Sequence, residues 1–175
     1  KSSNELMING YKPSEIYNNC SGKHLAMITT SKYYRYNIKG YTKLDHPIQK
    51  SVLNILENFT DYKVKKNNIA IDGCSLPQYS FPFESLAYAM VKVSCFEKLE
   101  LITSLALSRM LFCISNNPFF IGGTNRFDTE IIKVTKGRIF CKIGAEGVIL
   151  FSDLKKKLGG IIKVVDGNQR ALPSA

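Results

Sequence analysis

Residues 131–165 read IIKVTKGRIFCKIGAEGVILFSDLKKKLGGIIKVV, and this stretch decides the predicted fold. Short apolar runs at 131–134, 138–143, 147–151 and 161–165 are separated by a Thr-Lys-Gly turn and by glycine-rich turns. Runs of this length with such short connections predict strands that pair with their neighbours in an antiparallel sheet. Because the sequence has no βαβ repeat and no phosphate-binding glycine motif, we expect a mixed α/β (α+β) fold.

A layer of helices is expected upstream of this sheet and packed on it. His46-Pro47 begins one of them, since proline suits the first helical position and apolar residues then follow at three- and four-residue steps. Residues 1–19 are polar and are predicted to be a loop, and Asn19 is predicted to cap the first helix. The region 99–115 is apolar enough to predict a central, mostly buried helix. The predicted elements are helices at 21–31, 47–59, 82–93 and 99–115, and a strand at 69–71.

Composition favours a single globular domain over residues 1–175. The chain is 45% hydrophobic, and no apolar run approaches the roughly 20 residues that span a bilayer. Five cysteines at wide spacings fit reduced thiols or a metal site better than a disulfide framework, so we expect a cytoplasmic protein that is not bound to a membrane. We expect no nucleic-acid partner despite the net charge of +10, because only five of the 24 basic residues are arginine and the lysines are scattered.

The densest chemical signal is NNCSGKH at residues 18–24. It places Cys20 and His24 four residues apart at a predicted helix start, where helix amides favour a thiolate. Together with Cys74 this pair could chelate zinc, although two cysteines and a histidine are more often separate core or surface residues. Spacing alone therefore leaves the metal site open.

Two further residues follow or lie within predicted strands. Asp72 comes directly after the strand at 69–71, and strand ends are common functional positions. Lys142 lies in a predicted hairpin with Gly144 two residues later, a pattern that equally describes an ordinary hairpin with an exposed lysine.

Six sequence blocks in this order resemble the L-asparaginase II family, and they extend over nearly the whole chain. They are NNCSGKH at 18–24, Tyr41 with HPIQ at 46–49, DGCSLP at 72–77, GGTNRF at 122–127, KIGAEGV at 142–148, and KVVDG at 163–167 with Arg170-Ala171. The first and fifth blocks are far more specific than any single short motif.

The resemblance implies a fold like that of serine β-lactamases and glutaminases, and a zinc site formed by Cys20, Lys23 and Cys74. It therefore replaces His24 by Lys23 as the third ligand, and Lys23 would coordinate only as a neutral amine. Asp72 is then expected near the substrate, and His24 beside the site.

The same resemblance implies hydrolysis of L-asparagine to L-aspartate and ammonia, with Lys142 as the base of a serine and with a homodimeric assembly. The family's serines precede the blocks found here, so we expect this chain to be the C-terminal half of such a domain, incomplete and inactive by itself. The one Ser-x-x-Lys in the sequence, Ser152 to Lys155, lacks the family context. The alternative is a fragment or remnant that binds zinc without catalysis.

Overall fold

The computed structural model describes residues 3–12 and 14–168. Helices and antiparallel sheets alternate along the chain, which confirms the predicted mixed α/β class. The chain divides into two compact units, and the division falls between Phe81 and Pro82. None of the described helices is long and apolar enough to cross a membrane. That residues 1–175 form one partial domain stays a prediction.

The described residues of the first unit, which ends at Phe81, form three α-helices and a two-stranded sheet. Its elements are α1 (Ser3–Ile8), α2 (Ser21–Tyr33), α3 (Pro47–Thr60), β1 (Ile69–Ile71) and β2 (Pro77–Tyr79). Helix α3 begins as predicted, because Pro47 takes its first position and His46 Nδ1 accepts a hydrogen bond from Ile48 N at 3.1 Å. Strands β1 and β2 pair antiparallel, with Ala70 opposite Gln78.

Two predictions at the start of this unit are wrong in detail. The segment predicted as a loop, residues 1–19, contains α1 and a 3₁₀ turn at Glu15–Tyr17. The cap of α2 is Cys20 rather than Asn19, and the side chain of Asn18 accepts a hydrogen bond from Cys20 N at 2.8 Å. An Asx turn thus precedes the helix, so the capping position lies one residue later than composition suggests.

Over the described range 82–168, the second unit forms four α-helices and a three-stranded sheet. Its elements are α4 (Phe83–Ser94), α5 (Leu101–Asn116), α6 (Phe119–Gly122), α7 (Phe127–Val134), β3 (Ile139–Gly144), β4 (Val148–Asp153) and β5 (Leu158–Lys163). The strands are antiparallel in the order β3-β4-β5, which confirms the predicted sheet at three of its four strands. Helix α4 packs on β4 and β5, and α7 packs on β3.

The remaining predicted strand, residues 131–134, is the first of the four in sequence. In the structure these residues are the end of helix α7. Asp128 and Glu130 lie in the first turn of this helix, where acidic side chains favour helix formation, and Ile132 is fully buried. Ile131 packs with Phe127 against the buried cluster of Cys141 and Ile149. A short, mainly apolar run is compatible with a helix or with a strand. Here the residues before it form the first turn of a helix, so the run continues that helix.

Helix α5 forms where predicted but is not mostly buried. In the described part of the chain only Leu107 and Leu111 of this helix are buried, whereas Leu101, Ile102 and Phe112 are each about 70% exposed. Hydrophobicity predicted the helix correctly, because leucine and methionine favour helices, but it overestimated the burial.

Gly159 allows α4 to approach strand β5 closely. A Cβ atom at this position would overlap the backbone between Met90 and Val91. Ser152 on the neighbouring strand donates a hydrogen bond to Met90 O at 2.7 Å, so the helix backbone is held against the sheet. Any residue larger than glycine at this position would push helix α4 away from the sheet.

We expect Gly159→Ala to destabilise the protein by about 1 to 3 kcal/mol, the usual cost of forcing extra volume into a packed interface. Thermal or urea unfolding followed by circular dichroism measures the change. Gly144→Ala is the matched control on the same sheet, because its added Cβ would meet Val148 only at an ordinary contact distance of 3.7 Å. Equal stability of the two variants would contradict the close approach.

Candidate active site and metal centre

The turn between β1 and β2 is organised by Asp72. Its Oδ1 accepts hydrogen bonds from Cys74 N at 2.8 Å and Leu76 N at 2.9 Å. Ser75 adopts the left-handed conformation with φ of 65°, which closes the turn. Hydrogen bonds from the Leu76 N–H, from Lys23 and from the Cys74 N–H lower the pKa of Asp72, against a smaller opposing effect of burial. The side chain is therefore an ionised carboxylate at neutral pH.

The second oxygen of this carboxylate joins the turn to helix α2. Asp72 Oδ2 accepts hydrogen bonds from Lys23 Nζ and from Gln78 Nε2, each at 3.1 Å. Lys23 lies in the first turn of α2, and its side chain is 37% exposed against 22% for Asp72. Lys23 and Asp72, which are 49 residues apart in sequence, are thus brought into direct contact.

The structure also brings Cys20 and Cys74 together. The pKa of the Cys74 thiol is raised, first by a hydrogen bond with the Cys20 thiol, then by burial and by the charges of Cys20 and Asp72, while Lys23 lowers it. Both cysteines are partly exposed and neither forms a disulfide. Cys20, Lys23, Asp72 and Cys74 therefore form one cluster between the start of α2 and the β1–β2 turn.

The donors of this cluster fit zinc. Two thiolates and a nitrogen are ligands that Zn²⁺ accepts, and a neutral lysine amine on the metal would keep an N–H to donate to Asp72 Oδ2. No group of three His, Cys, Asp or Glu side chains suited to a metal occurs in the described ranges 3–12 and 14–168. Since the predicted third ligand is a lysine, that finding does not test the predicted set, and zinc binding stays a prediction.

His24 lies on the same helix but makes a different contact. Its Nδ1 is 2.6 Å from the hydroxyl of Tyr41, and the two rings meet edge to face. Gln49, which is buried, donates a hydrogen bond from Nε2 to Tyr41 O at 2.8 Å and so fixes the backbone of that tyrosine. Sequence reasoning did not assign roles to Tyr41 and Gln49, although both lie in one of the six blocks.

A cavity of about 590 Å³ opens beside this cluster within the first unit. Its lining is Glu15, Ile16, Asn18, Ser21, Gly22, His24, Leu25, Ile28, Tyr41, Gly73 and Cys74. It places a thiol, an imidazole and a hydroxyl on the wall of a space large enough for a small ligand.

Lys142 belongs to the second unit, on strand β3. Its Nζ donates to Asp128 Oδ2 at 3.2 Å and to the carbonyl oxygen of Ile143 at 2.6 Å. The neighbouring Cys141 is buried, and its pKa is raised to about 11, first by burial and then by the charge of Asp128, with Lys142 acting in the opposite direction. The predicted position of Lys142 beside Cys20 and Cys74 stays a prediction.

The hydroxyl of Ser152, in the sequence's one Ser-x-x-Lys, is not accessible to act as a nucleophile. The residue is fully buried, and its Oγ donates to the backbone of α4 at Met90 O. A nucleophilic serine needs an accessible hydroxyl beside a base, so Ser152 has a structural role.

The sequence profile of the L-asparaginase II family matches residues 1–175. The chain therefore belongs to the L-asparaginase II family, which indicates an asparaginase-like hydrolase. A search among curated proteins finds no significant match.

Proposed function

We propose that this protein hydrolyses the side-chain amide of L-asparagine to give L-aspartate and ammonia. The match of the family profile to all 175 residues carries the proposal. The cluster of Cys20, Lys23, Asp72 and Cys74 supports it, because Cys74 also lines the cavity, and polar side chains grouped beside a cavity are typical of an active site.

In this proposal Cys20, Lys23 and Cys74 hold one zinc ion, which would fix the start of α2 to the β1–β2 turn and add positive charge beside the substrate. Asp72 orients Lys23 through the hydrogen bond at 3.1 Å. His24, hydrogen-bonded to Tyr41, lines the cavity next to this cluster.

Lys142 is proposed as the base. Its amine takes the proton of a serine hydroxyl while the serine oxygen bonds to the amide carbon of asparagine. The lysine then returns the proton as the carbon–nitrogen bond breaks, and ammonia leaves. Water attacks the resulting ester, which releases aspartate and restores the serine hydroxyl.

The serine is proposed to lie outside these 175 residues, in the same longer chain or in a second chain. Ser152 is buried, and its hydroxyl donates a hydrogen bond to the backbone carbonyl oxygen of Met90. Ser21 and Ser75 are not followed by a lysine three residues later, the Ser-x-x-Lys spacing of the family. The term complete protein denotes these residues together with the segment or chain that supplies the serine.

The test compares this chain with the complete protein. We expect the purified 175-residue chain to bind zinc without releasing ammonia from asparagine at an enzymatic rate, and the complete protein to release ammonia and aspartate in equal amounts. Coupled ammonia detection and amino-acid analysis measure both products, with glutamine as the competing substrate.

Two outcomes would oppose the proposal. Zinc binding by a complete, folded protein that releases no ammonia would favour a zinc-binding remnant without catalysis. Sustained ammonia release by the 175-residue chain, surviving Ser21→Ala and lost in Lys142→Ala, would show that the nucleophile is not missing.

A further inference from the structure

The carboxylate of Asp128 is held in place by the backbone. Its Oδ1 accepts a hydrogen bond from Thr129 N at 3.2 Å, and its Oδ2 accepts one from Ile143 N at 3.3 Å. The residue is fully buried at the start of α7, where the helix also favours a negative charge. These two bonds do not involve Lys142, so the carboxylate has a fixed position of its own.

Gly122 makes room for this carboxylate. A Cβ atom at Gly122 would overlap the carboxyl group of Asp128 and crowd the Thr129 hydroxyl. The close approach of α6 therefore encloses Asp128 and keeps water away from it. A buried carboxylate in such a space requires a cation, and Lys142 provides one.

The amine of Lys142 has two acceptors among the described residues, Asp128 Oδ2 and the carbonyl oxygen of Ile143. A neutral lysine amine has two N–H donors for these acceptors and one lone pair, which remains to accept the serine proton. The side chain is 48% exposed, which leaves the amine accessible although its carboxylate partner is not.

We infer that Asp128 is the positioning residue of Lys142: its buried carboxylate, fixed by two backbone N–H groups, orients the lysine amine. The inference rests on the proposed function, in which Lys142 accepts a proton from serine. A base becomes positively charged when it takes the proton, so a fixed carboxylate favours that step. Asp128 itself touches neither substrate nor serine in this scheme.

The first experiment needs no activity and uses the 175-residue chain. Acetic anhydride acylates only neutral amines, and mass spectrometry after digestion gives the rate at each lysine. At one mildly alkaline pH, we expect Asp128→Asn to raise the labelling rate of Lys142 about three- to tenfold relative to Lys133, because the amine is released from its contact with the carboxylate. Lys133, exposed on the same helix as Asp128, is the internal control.

A measurement on the unaltered chain covers the case in which Asp128→Asn does not fold. In the unaltered chain, acetic anhydride should label Lys142 several times more slowly than Lys133. Equal rates in the unaltered chain, or an unchanged Lys142 rate in the folded variant, would overturn the inference.

The second experiment uses the complete protein. Asp128→Asn should lower kcat for asparagine with little change in KM, because the amine of Lys142 is no longer held in position. An unchanged kcat beside altered labelling would overturn the positioning role. If Lys142→Ala keeps full activity, the proposed base fails, whereas the labelling result still decides whether Asp128 holds Lys142.

Discussion

Lys142→Ala should lower kcat for asparagine by about 10²- to 10⁴-fold in the complete protein, the range that a general base contributes. The alanine has no group to take the serine proton, so formation of the ester slows. Zinc content should stay unchanged, because Lys142 is not among the proposed ligands. Steady-state ammonia release measures the effect.

The alanine variant also removes the cation beside Asp128, and a buried carboxylate without its partner destabilises the fold. Lys142→Arg separates the two effects. A guanidinium stays charged at every working pH, so it can pair with Asp128 but cannot act as a base. We expect the arginine variant to be about as stable as the parent protein and about as inactive as the alanine variant.

Lys133→Ala is the matched surface control and should keep both activity and stability, since this lysine is exposed on α7. A folded Lys142→Ala protein with near-normal kcat would remove Lys142 from the reaction. An active Lys142→Arg protein would show that the lysine contributes charge rather than proton transfer.

Four of the five described strands and four of the seven described α-helices could be predicted from local sequence, because their signals are local. Strands β3, β4 and β5 are marked by short apolar runs and by turns with glycine, and α3 by the proline at its first position. The predictions were wrong where tertiary packing determines the type of element or its burial. The run at 131–134 is helical because the turn before it starts a helix that packs on β3, and the exposure of α5 depends on neighbours that hydrophobicity does not specify.

The candidate site shows the same division. The contact between Lys23 and Asp72 was expected only in general terms, since the family resemblance placed Lys23 on the metal and Asp72 near the substrate, and the structure provides the hydrogen bond at 3.1 Å. The contact between Lys142 and Asp128 was not expected at all. It depends on α7 lying beside β3 so that Ile143 N and Lys142 Nζ reach the same oxygen, and no local pattern encodes this packing.

Cys74→Ala and Cys20→Ala should each weaken zinc binding by about 100-fold or more, since loss of one ligand removes a large share of the binding free energy of a structural zinc site. The 175-residue chain is sufficient for this test, because both cysteines and Lys23 lie within it. Metal content after dialysis gives the stoichiometry, and competition with a chelator gives the affinity. Cys113→Ala is the matched control, because Cys113 is exposed and lies outside the cluster.

The identity of the third ligand is the sharper question, because spacing indicated His24 whereas the resemblance indicated Lys23. In the structure Lys23 Nζ donates a hydrogen bond to Asp72 Oδ2, and Asp72 Oδ1 accepts one from Cys74 N. The amine therefore lies close to one of the predicted cysteine ligands. His24 Nδ1 is instead hydrogen-bonded to the hydroxyl of Tyr41. We therefore expect Lys23→Met to weaken zinc binding nearly as much as loss of a cysteine, and His24→Ala to have a much smaller effect.

Cobalt substitution adds a spectroscopic measurement that stability changes alone would not reproduce. Cobalt bound by two thiolates gives sulfur-to-metal charge-transfer absorption. This band should weaken in Cys20→Ala and in Cys74→Ala, which each keep one thiolate, but shift in Lys23→Met as the third ligand is lost. A folded Lys23→Met chain with unchanged zinc affinity and cobalt spectrum, beside a His24→Ala chain that loses both, would return the third position to His24. Full zinc content in both cysteine variants would exclude the cluster at the start of α2 as the metal centre.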